Sequence, residues 1–104
     1  MPGYAWVLEV RPGYEVEYLK RHEEIWPEML EELRAAGIRN YNIFRHGLTL
    51  FCFFETDDLD ATKAYLRTSP VDKRWGAWMA PIMKIEIDST TNYPYLLPKQ
   101  FFMA

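Results

Sequence analysis

His22 and Tyr18 are the residues best suited to moving a proton in this chain. They stand four apart, a spacing that puts both side chains on one helical face about one turn from each other. An imidazole titrates near neutrality, so it can give or take a proton without a large shift. His22 lies just before the Ile25-Trp26-Pro27 break, where a helix end opens space for a ligand. The plainer use of such a residue is a surface or interface histidine on an amphipathic helix. Trp75 and Trp78 are spaced i, i+3 and either pack in the core or offer indole faces for a ring to stack on. Tyr41 has the opposite parity to Asn40 and Asn42, so either it or the asparagines face inward. A buried phenol needs a hydrogen-bond partner, and a hydroxylated ligand is one candidate.

The remaining inventory narrows the chemistry. The chain has two histidines, His22 and His46, with no His-Glu-x-x-His, no Cys-x-x-Cys and no carboxylate spacing of a metal loop. No bound metal is expected. Neither a Gly-x-Gly-x-x-Gly stretch nor a phosphate loop is present, so no nucleotide cofactor is expected either. A Gly-x-Ser-x-Gly nucleophile motif is also missing. Glu31-Glu32 and Asp57-Asp58 read as solvated faces and helix-start charges. Cys52, the single cysteine, cannot form an internal disulfide, which fits a reducing cytoplasm. It reads as a small buried hydrophobe in a strand rather than a reactive thiol. Proton transfer in an aromatic pocket is what remains.

Around these residues the 104-residue chain has room for one domain, residues 1–104. Size scaling gives a folded surface of about 6,100 Å², enough for one core. Hydrophobic residues make up 49% and charged residues 26%, which excludes a disordered chain. Four Trp, seven Tyr and six Phe are more rings than so small a core can hide, so some must line a site or an interface. The net charge of −3 comes without any basic block, which argues against nucleic acid. No apolar run is long enough for a membrane span, and Met1-Pro2-Gly3-Tyr4 does not open a secretion signal, so a soluble cytoplasmic protein is expected.

Residue periodicity supplies the elements that hold the site. Alternation predicts a strand over Tyr4 to Val10, ended by Arg11-Pro12-Gly13. Two helical pieces follow, about 14–25 and 27–36, with Leu19, His22 and Trp26 on one stripe and Pro27 opening the second. Gly37 is placed as a left-handed cap. Strands over Ile38–Phe44 and Leu48–Glu55 flank a turn at Arg45-His46-Gly47. Asp57 caps a helix reaching about Arg67, and Ser69 caps another that stops near Met79. Met83 to Ile87 makes the fourth strand. The order βαββαβ is that of an α+β, ferredoxin-like sandwich with a four-stranded antiparallel sheet. Leu48 to Phe54 is apolar on both parities, so the sheet face without helices also needs cover. The tail from Tyr93 to Met103 is rich in large apolar groups with nothing left in the chain to fold upon. A homodimer, completed by the tail, satisfies both.

The segment Tyr18-Leu19-Lys20-Arg21-His22-Glu23-Glu24-Ile25-Trp26-Pro27-Glu28 resembles the signature of the L-rhamnose mutarotase family. Gly37-Ile38-Arg39-Asn40-Tyr41-Asn42-Ile43 and Arg74-Trp75 extend the likeness, which runs from about Tyr4 to Met83 and faintly returns at Phe101-Phe102-Met103. The resemblance implies a cofactor-free, dimeric ferredoxin-like enzyme that interconverts the α and β anomers of a 6-deoxyhexose. L-rhamnose is the leading substrate and L-fucose the next. It further implies that His22 is the catalytic proton donor and that Tyr18, Tyr41 and Trp75 contact the sugar. The family has two adjacent tryptophans where this chain has Trp75 followed by Gly76, so Trp78 is the candidate for the second wall. Two other readings stay open: a cofactor-free monooxygenase or haem-degrading enzyme of the same fold, and a non-catalytic sugar-binding dimer.

Overall fold

The computed structural model describes residues 1–91 and 93–104. Its elements run β1 (Gly3–Val10), α1 (Glu15–Glu23), α2 (Pro27–Ala35), β2 (Arg39–His46), β3 (Thr49–Glu55), α3 (Leu59–Arg67), α4 (Pro70–Met79) and β4 (Met83–Lys84). The four strands form an antiparallel sheet in the order β2-β3-β1-β4, the α+β arrangement expected from periodicity. A further two-stranded ladder, β5 (Ile87–Asp88) with β6 (Tyr93–Pro94), follows and was not expected.

Parity decides what each strand buries. On β1, Trp6, Leu8 and Val10 face the helices, and on β3, Leu50, Cys52 and Phe54 do so. Their β1–β3 register sets Trp6 against Cys52 and Leu8 against Leu50, so one contiguous core forms beneath the helices. On β2 the alternation breaks. Its pairing with β3 slips by one residue between Arg39 and Asn42, and Asn40 adopts φ +49° there. Bulges of this kind re-aim the residues beyond them. Ile38 ahead of the slip and Tyr41 and Ile43 beyond it therefore all pack on the core. The Asn40 amide donates to Glu55 Oε1 at 2.8 Å, which holds the irregularity.

The helices start and stop for legible reasons. Pro27 and Pro70 open α2 and α4, where a missing N–H costs nothing. Ser69 caps α4, accepting from the Asp72 amide at 3.1 Å. Asp58 caps α3 rather than Asp57, because its side chain is the one that reaches the Ala61 amide, at 3.1 Å. Gly37 ends α2 with φ +92°, the left-handed conformation that a glycine adopts without strain. Leu19 falls outside the predicted stripe at 60% exposed, since Tyr18 occupies the buried face of α1.

Two differences concern the sheet edge. β4 is two residues long and pairs with β1 only at Glu9 and Val10. The vacant stretch of β1 is met by the tail, where the Leu97 amide donates to the Ala5 carbonyl at 2.7 Å. Tyr93 is buried and Leu96 packs on the core. Tyr93 and Leu96 therefore find a seat within their own chain, contrary to the expectation that the tail had nothing to fold upon, while Tyr95, Leu97, Phe101, Phe102 and Met103 stay exposed. The other sheet face remains open, with Val7, Phe44, Phe51 and Phe53 exposed on it.

Candidate active site

Between the sheet and α1, α2 and α4 lies a cavity of about 750 Å³. It falls in the range of small-molecule sites. His22, Tyr18, Tyr41 and Trp75 all line it. Three elements bring them there. α1 presents Tyr18 and His22 from successive turns, the β2 bulge turns Tyr41 inward, and α4 supplies Trp75.

His22 is held on two sides. Its ring stacks on Tyr18 at 4.4 Å between centroids and 23° between planes, and meets the edge of Trp75 at 5.4 Å and 90°. Its Nδ1 lies 3.0 Å from the Tyr18 carbonyl oxygen. A carbonyl can only accept, so Nδ1 carries the hydrogen and Nε2 keeps its lone pair. Burial lowers the His22 pKa from its ordinary value, and the Tyr18 carbonyl opposes this more weakly. The ring is thus a neutral, oriented base at neutral pH.

The tyrosines are the opposite kind of group. Burial raises the Tyr18 and Tyr41 hydroxyls, so both stay protonated across the physiological range and can donate or accept. Tyr41 faces Cys52, whose thiol burial pushes up to about 12. Trp75 stands half-buried between His22 and Trp26, whose ring it meets at 5.1 Å. Trp78 is placed differently. It stacks on Trp26 at 5.4 Å, lies under the Arg21 guanidinium at 4.2 Å, and accepts from Arg21 at its backbone oxygen. It therefore stands behind Trp75, outside the cavity lining. Gly76 lines the cavity instead, and a Cβ built there would meet nothing within 4 Å.

Three lining residues escaped the sequence reading. Asp72 has an ordinary place for an acid, in the first turn of a helix, yet it lies one turn before Trp75 and shares its face. Trp6 looked like strand core. It is that, but its buried Nε1 has no hydrogen-bond partner among the described residues. Tyr93 comes from the tail, and no spacing in the sequence ties it to the cavity. Among the described residues, no group of three or more His, Cys, Asp or Glu is gathered as a metal site, and no helix is long and apolar enough to cross a membrane.

Fold and cavity together define the class: a ferredoxin-like α+β sandwich with an aromatic, histidine-bearing cavity between sheet and helices. Within that class, the profile of the L-rhamnose mutarotase family matches residues 3–101. An L-rhamnose mutarotase from Listeria monocytogenes is 41% identical, with all of both chains covered. One from Rhizobium johnstonii is 40% identical over 84% of this chain and 83% of its own. The crystal structure of an L-rhamnose mutarotase from Formosa agariphila superposes with a TM-score of 0.80 at 27% identity, covering both chains completely. The chain belongs to the L-rhamnose mutarotase family.

Proposed function

We propose that this protein interconverts the α and β anomers of L-rhamnose, with His22 as the proton carrier. The observation that supports this most directly is the Nδ1 hydrogen bond to the Tyr18 carbonyl, which leaves Nε2 as the free base of a ring that lines the cavity. Nε2 takes the proton of the anomeric hydroxyl and returns it to the ring oxygen. The C1–O bond to the ring oxygen breaks as the C1 carbonyl forms, with no net gain or loss of protons. Rotation about C1–C2 and reversal of these steps close the other anomer. Tyr18 and Tyr41 supply neutral hydroxyls to the sugar, and Trp75 offers a face for its C–H surface. Trp78 supports the site from behind, by stacking on Trp26.

The working unit in this reading is a homodimer that buries the open sheet face. Phe44 there is 65% exposed, and the isolated chain leaves 7021 Å² accessible against about 6,100 Å² for a monomer of its mass. A single buried thiol suits a reducing cytoplasm.

Saturation-transfer NMR of anomer exchange across a panel of aldoses tests the reading. Exchange faster than the spontaneous rate, greatest for L-rhamnose, is the expected result. Saturable sugar binding with no acceleration would instead make the protein a binding module. Haem binding or oxygen consumption with an aromatic substrate would make it a monooxygenase-like relative.

A further inference from the structure

Asp72 is an unusual neighbour for so apolar a cavity. It is the third residue of α4, its backbone amide is taken by Ser69, and its side chain lines the cavity. The carboxylate makes no side-chain hydrogen bond and no ion pair among the described residues. Burial and the Glu32 carboxylate push it up to about 6, so it is still mostly ionised at neutral pH. An ionised carboxylate has room for about four accepted hydrogen bonds. The protein fills none of them here.

Its place relative to His22 gives the vacancy a meaning. Trp75, three residues or about 4.5 Å further along α4, is the residue that meets His22 edge-on. The Asp72 charge helps raise both the Tyr41 and the Tyr93 hydroxyls. It is not among the influences on His22, which are burial and the Tyr18 carbonyl. Asp72, Tyr41, Tyr93, Tyr18 and His22 thus line one cavity, with Asp72 a helical turn from the tryptophan that meets His22. A pyranose with its anomeric carbon at His22 would turn its remaining ring hydroxyls toward Asp72. Hydroxyl groups are the donors that the carboxylate lacks.

We propose that Asp72 is the specificity-determining residue of this site, its carboxylate accepting hydrogen bonds from two adjacent ring hydroxyls of the sugar while His22 acts at the anomeric centre. The assignment rests on the mutarotase reading and deepens it. Hydrogen bonds from neutral hydroxyls to a charged acceptor are among the stronger kinds. They hold the substrate in the ground state as much as in the transition state, so their loss raises KM rather than lowering kcat.

The test is anomer exchange by saturation-transfer NMR on wild type, Asp72→Asn and Asp72→Glu, as a function of L-rhamnose concentration. Asp72→Asn keeps the shape and removes the charge. It should raise KM about tenfold or more with kcat within about threefold. Monodeoxy analogues of L-rhamnose provide the second arm. The analogue lacking a hydroxyl read by Asp72 should be a poorer substrate for wild type but no poorer than L-rhamnose for Asp72→Asn, the signature of a direct pair. Asp72→Glu should keep the wild-type discrimination among analogues. Unchanged KM in a folded Asp72→Asn, or a fall in kcat alone, overturns the Asp72 assignment and leaves the mutarotase reading standing. A wild type that exchanges no anomers overturns both.

Discussion

A histidine that is neutral, tautomerically fixed, stacked on one ring and met edge-on by another is poised differently from one in water. His22→Ala should slow exchange by about 10²-fold or more, the range for losing a general acid–base group, and should change sugar affinity much less. His22→Gln should be nearly as slow, because it can hydrogen-bond but cannot carry a proton near neutrality. His46, exposed at the end of β2, should tolerate alanine in the same NMR assay. The lowered His22 pKa also sets a pH profile. The neutral ring persists below the ordinary imidazole value of 6.5, so the acidic limb of the rate profile should lie below that value. Its effect on stability has a definite sign. The unfolded chain binds the His22 proton more readily, so this contribution is complete above 6.5 and declines as the pH falls through the lowered folded value. Asp72 acts in the reverse sense. Its pKa is raised from 3.8 to about 6, so the folded state gives up stability as the pH rises through that window. Asp72→Asn should therefore be more resistant to urea than wild type at neutral pH, with the gap closing near pH 4.

At the scale of elements, α4 carries both a capped start and an avoidable weakness. Ser69 Oγ takes the Asp72 amide and also bonds to Glu32, linking α4 to α2. Ser69→Ala should cost about 1–2 kcal/mol in urea denaturation, the effect of a lost cap. Gly76, in the interior of the same helix, has open space where a Cβ would be, so Gly76→Ala should stabilise by about 0.5–1 kcal/mol. Gly76→Trp should fill part of the cavity and narrow the range of sugars exchanged. Equal rates across the aldose panel would show that this space is not used. Most of these elements were legible because their signals are local: proline at a first turn, glycine at a left-handed cap, alternation in a strand. The illegible parts depend on pairing. The slip at Asn40 that turns Tyr41 inward comes from how β2 meets β3, and sequence spacing left both orientations open. The seat of Tyr93 and Leu96 depends on β4 being too short to cover β1, which no residue of the tail reveals. For the site, Tyr18 and His22 were readable because they lie on one helix. Asp72 was hidden because an acid in a first helical turn already has an ordinary reason to be there.

The whole molecule is a sandwich with one slice missing. Phe44, Phe51 and Phe53 leave a broad apolar face to water, which a second copy would cover. Light scattering should find about twice the chain mass of 12.4 kDa, and Phe51→Glu should reduce it to the single-chain value. Removing residues 93–104 takes Tyr93 and Leu96 from the core, and should lower stability by about 3 kcal/mol on burial alone. An unchanged melting temperature would show that the tail seat is dispensable. The lone thiol makes such measurements simple. Cys52 sits in the middle of β3 against Trp6, 1% exposed, and holds its proton until about pH 12. A thiol reagent at neutral pH can reach it only when the sheet opens, so the folded protein should be almost silent to labelling. Its rate of modification is then a clock for opening, with a single hand because there is a single cysteine. Since any ligand held only by the closed form slows that clock in proportion to its occupancy, adding L-rhamnose and timing one chemical reaction would give its affinity without watching catalysis at all.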